Sequence, residues 1–478
     1  MLFTSIAFAI FFSLVFIIYW AVPHKFRWPL LLAASCYFYM SWDPKYVLLI
    51  LFTTAVSYAA GLILDGCESP KKKRITLAAA LISCLGVLVF FKYFNFLSES
   101  ISSFLCLFAI KINPIVVKVT LPIGISFYTF QMLSYVLDVY RGNIRAERNF
   151  GIYAACISYF PKLVAGPIER AGNLIPQLKS EKHFEYDKAV YGLKLMAWGY
   201  FKKVAIADIL AVYVDKVYDG IGSMHGVDYA LAILFFTIQI YCDFSGYSDI
   251  AIGASKLFGI DLMTNFKSPY FSKSVKEFWS RWHISLSTWF RDYVYIPLGG
   301  NRCSPAKSYR NLLITFAVSG LWHGANWTFV LWGALHGVLQ ILEKMFDSVL
   351  KKFRNRNRLT GICSTLAVFV FCNLAWVLFR ADKLSDAAYV IYHALFDLRD
   401  PGTYFAAACG LSKSALLKIL VTLIILGLFD YFSLKTDVIE WVGRQRVLVR
   451  WMIYIGLVFL ILIYAPVHNE TQFIYAQF

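Results

Sequence analysis

Apolar runs long enough to cross a lipid bilayer recur along the whole chain of 478 residues. A helix needs about 20 such residues to cross the hydrocarbon core. The composition agrees, because 59% of the residues are hydrophobic and only 16% are charged, whereas a soluble domain has about 25% charged residues. The regular alternation of apolar and polar residues that marks the strands of a membrane barrel is absent. We therefore predict an all-α polytopic membrane protein.

The apolar runs predict about 10–12 transmembrane or re-entrant helices. They form one integral-membrane domain over residues 1–478, and the sequence shows no soluble domain, long linker or internal repeat. The first run lacks a basic n-region and a cleavage site, so we expect it to be retained as a span. The run at 151–166 is short and broken by proline and glycine, which favours a re-entrant segment. The predicted spans cover approximately residues 3–22, 28–42, 46–64, 76–96, 121–140, 201–219, 228–256, a pair within 311–345, 361–380, 414–433 and 447–466.

Basic residues give the predicted orientation of these spans. The formal net charge is +17, and in a membrane protein this excess collects in cytoplasmic loops. It therefore does not indicate nucleic acid as a partner. The cluster KKKR at 71–74 and the basic residues at 351–358 are expected in the cytoplasm, with both termini outside. The ten cysteines form no C-x-x-C pair, so neither a zinc site nor a disulfide framework is indicated.

Three of the eight histidines lie in one stretch between residues 278 and 337. His283 occurs in F-W-S-R-W-H-I-S-L-S-T-W-F-R-D-Y, His323 in S-G-L-W-H-G-A-N-W-T, and His336 in W-G-A-L-H-G. An imidazole titrates near neutral pH and can accept or donate a proton. Inside a membrane it is costly unless it faces a cavity or a partner, which makes each of these histidines a candidate functional residue.

The residues around His323 are open to two interpretations. On a continuous helix His323, Asn326 and Trp327 would share a face, and His336 would lie on another. This arrangement suits a catalytic site. It suits equally a buried structural histidine that bonds to a carbonyl group.

The segment around His283 has an amphipathic pattern. On one helix Trp282 and Ser285 would lie near one face, whereas Arg281 would lie nearer another. A basic, tryptophan-rich helix is typical of an anchor at the membrane surface. A role of His283 in lining a ligand site is an equal alternative.

Two aspartates stand inside an apolar run, in the sequence Y-C-D-F-S-G-Y-S-D. Asp243 and Asp249 are costly in a membrane unless they are paired. We interpret them as part of a structural polar motif, with Ser245, Ser248 and tyrosine hydroxyls as partners. Direct participation in catalysis is the alternative.

The motifs W-x-R-W-H-I-S-L-S-x-W-x-R-D-Y and G-L-W-H-G-A-N-W resemble those of the membrane-bound O-acyltransferase family. Within that family the resemblance is to the bacterial branch of alginate O-acetyltransferases. The likeness extends over nearly the whole chain, and its core motif region spans residues 120–345. It includes L-P-I-G-I-S-F-Y-T-F, D-V-Y-R-G, F-P-K-L-V-A-G-P-I, D-F-S-G-Y-S-D and the terminal F-I-Y-A-Q-F. Ala476 departs from the branch, which commonly carries an aromatic residue there.

The resemblance implies helices around a central tunnel and an O-acyltransferase activity. It implies transfer of an acyl group, most commonly acetyl, to hydroxyls of an exported polysaccharide, with His323 as the catalytic base and His283 at the donor entrance. The residues expected to bind or orient substrate are Asn326, Trp322, Trp327, Trp282, Arg281 and Ser285. No permanently bound cofactor and no metal are expected.

The resemblance also implies partners and a location. The donor is a cytoplasmic thioester, either acetyl-CoA or an acylated carrier protein, and a hydrolase-like protein of the SGNH type outside the membrane completes delivery. The location implied is the cytoplasmic membrane of a bacterium, in contact with lipid. Two alternatives are D-alanyl transfer from a carrier protein to a cell-wall polymer and a non-enzymatic transporter of an acylated intermediate. The segments 97–118, 219–227 and 381–413 are candidates for the acceptor mouth. Within the last segment Tyr404 and Phe405 are candidates for stacking on sugar rings, and the favoured alternative is simple anchoring at the membrane interface.

Overall fold

The computed structural model describes residues 1–164, 166–397 and 411–464. Within these ranges the regular elements are all helices, which confirms the predicted all-α class. Tyr404, Phe405 and the terminal F-I-Y-A-Q-F with Ala476 lie outside the described residues. Among the described residues six helices are long and apolar enough to cross a membrane, and a bent pair of helices raises the number to seven. These are Lys45–Gly66, Pro70–Cys106, Gly226–Leu257, Arg358–Arg380, Lys413–Ser433 and Val447–Tyr464, with the pair Trp327–Met345 and Asp347–Arg354.

The chain divides into two compact units. The first comprises Met1–Leu193 and Ala251–Met263. Its helices are α1 (Ile6–Ala21), α2 (Arg27–Met40), α3 (Lys45–Gly66), α4 (Pro70–Leu88), α5 (Phe94–Cys106), α6 (Ile125–Arg141), α7 (Phe150–Ser158), α8 (Phe160–Leu163) and α9 (Ala171–Lys179). A π-helical turn, Val89–Tyr93, joins α4 to α5. The break between α7 and α8 matches the predicted broken run at 151–166, and its re-entrant course stays a prediction.

The second unit comprises Lys194–Ile250 and Thr264–Phe478. Helix α10 (Tyr186–Tyr200) begins in the first unit, and helix α12 (Gly226–Leu257) ends in it; the remainder of both helices belongs to the second unit. A π-helical segment, Phe201–Ala207, connects α10 to α11. The other helices are α11 (Asp208–Asp219), α13 (Val275–Arg281), α14 (Ile284–Phe290), α15 (Pro305–His323), α16 (Trp327–Met345), α17 (Asp347–Arg354), α18 (Arg358–Arg380), α19 (Leu384–Phe396), α20 (Lys413–Ser433), α21 (Val438–Gly443) and α22 (Val447–Tyr464).

Helices α15 and α16 form a closely packed antiparallel hairpin. A Cβ atom on Gly320 would lie 2.1 Å from the carbonyl oxygen of Phe329, and one on Gly333 would lie 2.1 Å from that of Phe316. Glycine is therefore required at both positions for the backbones to approach. Helix α18 packs antiparallel against α16, with Trp332 stacked on Trp376. These three helices supply most of the candidate site.

Both histidine motifs are interrupted by a break between two helices, and the break after His323 agrees with the pair of segments predicted within 311–345. Helix α15 ends at His323, and α16 begins at Trp327 after Asn326 has capped it. The expectation that these three residues share one helix face is therefore wrong. Helix α13 ends at Arg281, and α14 begins only at Ile284. The expectation of one amphipathic helix around His283 is therefore also wrong. His323 ends one helix, and His283 lies in the break between two.

Candidate functional site

His323 is the last residue of α15, and its side chain is almost completely buried. Gly324 follows it, and a Cβ atom there would lie 2.1 Å from the ring of Phe329. Glycine at this position lets the chain turn out of the helix while Phe329 packs beneath it. The ring of Phe379 on α18 contacts the His323 ring, with the centroids 5.4 Å apart, and Phe379 in turn packs against Phe329. The imidazole is thus held at a helix end against an aromatic wall from α18.

His283 stands between α13 and α14 in a left-handed conformation, with φ 41° and ψ 55°. It is completely buried. The left-handed region is uncommon for residues other than glycine, and a residue held there costs about 1–3 kcal/mol. The ring of Phe244 packs edge-on against the imidazole, with the centroids 4.5 Å apart. The backbone therefore turns sharply at His283 and directs the side chain into the core.

These two histidines lie next to each other in the fold. The centroids of the His283 and His323 rings are 6.3 Å apart. Trp322 contacts both, at 6.0 Å from His283 and 4.9 Å from His323. The two candidate catalytic residues from separate motifs thus share one buried aromatic environment.

His336 belongs to the same cluster but has a defined partner. The indole N–H of Trp279 donates to Nδ1 of His336 across 3.2 Å. Trp332 lies between His336 and His323, with its ring 5.0 Å from the first and 5.1 Å from the second. Because Nδ1 accepts a hydrogen bond, the proton of the neutral ring is on Nε2. His336 is therefore a packed core histidine, separated from His323 by a tryptophan.

A pocket of about 220 Å³ opens next to His323. It lies at the ends of α15, α16 and α18 that are opposite to the basic segments at 305–310 and 351–358. Arg380 on its wall is paired with Asp215 at 2.8 Å, and its guanidinium stacks on Tyr218. The pocket thus combines an apolar floor with polar groups. Its lining consists of Gly324, Ala325, Asn326, Phe329, Phe379, Arg380, Ala381 and Asp382.

Asn326 connects two walls of this pocket. Its Oδ1 accepts from the backbone N–H of Thr328 at 3.1 Å, which caps α16. Its Nδ2 donates to the carbonyl oxygen of Asp382 at 2.8 Å. The amide thereby ties the turn of the α15–α16 hairpin to the chain that follows α18.

The other residues predicted to bind or orient substrate differ in burial and in their polar partners. Trp282 is completely buried and packs against Trp376 with the ring centroids 4.9 Å apart. Ser285 is buried and bonded to Asn265. Arg281 pairs with Glu277 on its own helix. Trp327 is largely exposed at the start of α16, so it does not join the buried cluster around His323.

Asp243 and Asp249 on α12 are paired with two consecutive lysines of the π-helical segment. Lys202 lies 2.7 Å from Asp249 and donates to Ser245 Oγ at 2.8 Å. Lys203 lies 2.7 Å from both Asp208 and Asp243. Both lysines are almost completely buried, and buried charges need such partners. The sequence prediction of a polar motif on α12 included Ser245 and missed the lysines, although two adjacent lysines in an apolar run were a usable signal.

Apolar helices that enclose two histidines and a small polar pocket define a membrane-embedded protein with an enzyme-like site. A model of the membrane-bound O-acyltransferase family, MBOAT, matches residues 148–379. These residues include both histidine motifs, the paired aspartates and the α15–α16 hairpin. Together with the relatives described next, this match shows that the chain belongs to the membrane-bound O-acyltransferase family.

Named relatives agree with this assignment. The probable alginate O-acetylase AlgI of Azotobacter vinelandii is 42% identical over 407 residues, which cover 84% of this chain and 79% of that protein. The peptidoglycan O-acetyltransferase of Helicobacter pylori is 35% identical over 411 residues, covering 80% and 76% of the two chains. The teichoic acid D-alanyltransferase of Bacillus subtilis is 28% identical over 270 residues, covering 54% and 68%. The protein is thus a multi-pass membrane O-acyltransferase, similar to enzymes of alginate and peptidoglycan O-acetylation.

Proposed function

We propose that this enzyme transfers an acetyl group from a cytoplasmic thioester towards a hydroxyl of an exported polysaccharide, with His323 as the general base. One observation carries the proposal: the buried His323 ring lies 6.3 Å from the His283 ring and contacts Phe379, which lines the 220 Å³ pocket together with the next residue, Gly324. The pocket is smaller than the roughly 300–1,000 Å³ of a site for a drug-sized molecule. It therefore suits one hydroxyl-bearing unit rather than a length of polymer.

The chemistry needs a base because a hydroxyl is a poor nucleophile at neutral pH. As the hydroxyl oxygen attacks the thioester carbonyl carbon, the imidazole of His323 removes its proton. The carbon–sulfur bond of the tetrahedral intermediate then breaks, and an oxygen ester forms. The departing thiolate, whose conjugate thiol has a pKa of about 8.5, needs little assistance from an acid.

The two sides of His323 suit different substrates. The segment 261–310 carries eight Lys and Arg residues against three Asp and Glu, and cationic side chains bind the phosphates of coenzyme A. On this basis His283, Trp282, Ser285 and Arg281 line or support the donor side. On the opposite side, the guanidinium of Arg380 and the carboxylate of Asp382 offer a donor and an acceptor for sugar hydroxyls. Asn326 orients that wall, and Trp322 packs against both histidines.

Partners and location complete the proposal. The enzyme acts in the cytoplasmic membrane of a bacterium, where cytoplasmic thioesters and exported glycans are on opposite sides. A hydrolase-like protein outside the membrane receives or relays the acyl group to the polymer. An acylated carrier protein is the second candidate donor, since the chain also resembles the Bacillus subtilis teichoic acid D-alanyltransferase.

Inside-out vesicles that contain the protein, its partner and an acceptor glycan test the role of His323. Radiolabelled acetyl-CoA is supplied outside the vesicles, which corresponds to the cytoplasmic face. We expect His323→Ala to lower label transfer by roughly 100-fold or more, the usual contribution of a general base. His24→Ala is the matched control, because this histidine lies in the first unit and bonds to the carbonyl oxygen of Lys179. Transfer by His323→Ala at the level of His24→Ala would refute the assignment of the base.

The same vesicles distinguish the donors. Labelled acetyl-CoA and an acetylated carrier protein are supplied separately at matched concentrations. Label that reaches the glycan only from the carrier protein would exclude acetyl-CoA as the direct donor while leaving the role of His323 intact.

A further inference from the structure

Asn265 is completely buried and connects three segments of the second unit. Its backbone carbonyl accepts from the N–H of Ile284 at 2.9 Å. Its side-chain Oδ1 accepts from the hydroxyl of Ser285 at 2.6 Å and from the Ser285 N–H at 3.3 Å. Its Nδ2 donates to the hydroxyl of Ser248 at 2.9 Å. One side chain therefore joins the start of α14 to α12.

The hydrogen bonds of Asn265 to α14 involve Ile284 and Ser285, the two residues directly after His283. Before His283, the N–H of Lys267 donates to the carbonyl of Arg281 at 2.9 Å. The segment 265–267 is thus paired with the chain on both sides of the left-handed histidine. Because a left-handed residue persists only where its surroundings enforce it, these bonds are the local reason why His283 keeps its conformation.

Helix α12 provides a rigid support for this arrangement. Phe244 and Ser248 are one helical turn apart and lie on the same face. Phe244 packs against the His283 imidazole, and Ser248 accepts the Asn265 amide. Ser245 and Asp249, on the neighbouring face, bind Lys202. The face that contacts the histidine is therefore part of a helix that buried ion pairs hold in place.

We infer that Asn265 is a positioning residue, which holds the His283 imidazole against His323 by fixing the turn between α13 and α14. The inference depends on the proposed function, because it assumes that His283 acts in the transfer. An asparagine suits this place since its amide accepts two hydrogen bonds from Ser285 and donates one to Ser248 at the same time. Alanine would leave both hydroxyls without this bond and free the turn to move.

The test compares kcat, donor KM and Tm of purified variants in lipid nanodiscs; kcat and KM are measured with acetyl-CoA, the partner protein and an acceptor glycan. We expect Asn265→Ala to lower kcat roughly 10- to 100-fold, since a displacement of about 1 Å at a reacting group has effects of this size. Donor KM should change little. Asn265→Asp keeps an oxygen that accepts from Ser285, so its kcat should lie between those of Asn265→Ala and the wild type.

Two further variants keep the test decisive. Asn373→Ala is the matched control, because Asn373 is also buried in this unit and its amide donates to the carbonyl oxygen of Phe369 on its own helix. Its kcat should equal that of the wild type, even where Tm falls as much as in Asn265→Ala. Ser248→Ala removes only the connection to α12 and leaves the folded turn intact. If Asn265→Ala fails to fold, a lowered kcat in Ser248→Ala supports the inference, and an unchanged kcat overturns it.

The His283→Ala background separates the inference from the proposed function. If Asn265 acts through His283, then Asn265→Ala lowers kcat no further in that background. A full additional loss would show that Asn265 acts elsewhere and would overturn the inference. Wild-type kcat in His283→Ala alone would also overturn it, while the role of His323 would still rest on the vesicle assay.

Discussion

The rings of His283 and His323 lie 6.3 Å apart although 40 residues separate them in the chain. One terminates helix α15, and the other forms the turn between α13 and α14. Neither is exposed on the protein surface. Two motifs that could have served separate purposes are therefore parts of one site.

This proximity predicts that the effects of removing the two histidines are not additive. We expect His323→Ala to abolish most of the transfer and His283→Ala to lower it less. In the double variant the loss of transfer should match that of His323→Ala alone, because His283 acts together with His323 and has no effect once His323 is absent. Initial rates of the four proteins at saturating donor measure the coupling. Losses that multiply would mean that the histidines act in independent steps.

The long apolar runs were sufficient to predict much of the fold. The span predicted at 228–256 is α12, Gly226–Leu257, and that predicted at 361–380 is α18, Arg358–Arg380. Such runs are informative because a helix in lipid must satisfy its backbone internally and present apolar side chains. The central tunnel and the orientation of the termini stay predictions.

The interior of the site was less predictable. The sequence predicts a pair of segments within 311–345, and the break after His323 has a local signal, since Asn326 precedes α16 as a capping residue; the assignment of His323 and Asn326 to one helix face overlooked it. No local signal connects Asn265 to Ser285 or Lys202 to Asp249, because these contacts depend on packing between distant segments. The motifs thus identified the histidines, and only the fold identified their supports.

The pocket beside His323 is expected to admit the acceptor, so filling it should impair transfer without impairing donor binding. Ala325 lines the pocket, and leucine there would occupy part of its volume. We expect Ala325→Leu to raise acceptor KM by roughly tenfold or more, as small steric changes in a pocket do, with unchanged donor KM. The control is Ala367→Leu, on an exposed face of α18. Equal acceptor KM in the two variants would exclude the pocket as the acceptor site.

Lys203 forms ion pairs with two buried carboxylates, Asp208 and Asp243, each at 2.7 Å. Replacing it with methionine keeps the apolar stem and leaves both carboxylates without their cation. Breaking a buried pair in this way costs about 3–5 kcal/mol. We expect a markedly lower Tm for Lys203→Met in detergent, measured by the fluorescence of the buried tryptophans.

Removing the two carboxylate charges as well should recover much of this loss. Asp208→Asn and Asp243→Asn added to Lys203→Met remove the two buried negative charges that have lost their lysine, so the Tm of the triple variant should exceed that of the single variant. Lys216→Met, at an exposed position of α11, should leave Tm near the wild-type value. A triple variant less stable than Lys203→Met would mean that the charges themselves are not the source of the instability.

The α15–α16 hairpin leaves no space for a side chain at Gly333. A Cβ atom there would lie 2.1 Å from the carbonyl oxygen of Phe316 and 3.0 Å from the backbone nitrogen of Gly320. Both obstacles are backbone atoms, so Gly333→Ala can be accommodated only if the helices move apart. Such overpacking costs about 1–3 kcal/mol. Because His323 ends α15 and Trp332 of α16 contacts its ring, we expect both Tm and transfer activity to fall.

Gly427→Ala provides the comparison for this prediction. Gly427 lies within α20, and a Cβ atom there would meet nothing within 4 Å. Alanine also has a higher helix propensity than glycine, by about 0.8–1.0 kcal/mol in a helix interior. The same substitution should therefore leave activity unchanged and Tm equal or higher. If Gly333→Ala were as active and as stable as Gly427→Ala, the close approach of α15 and α16 would not be required for the position of His323.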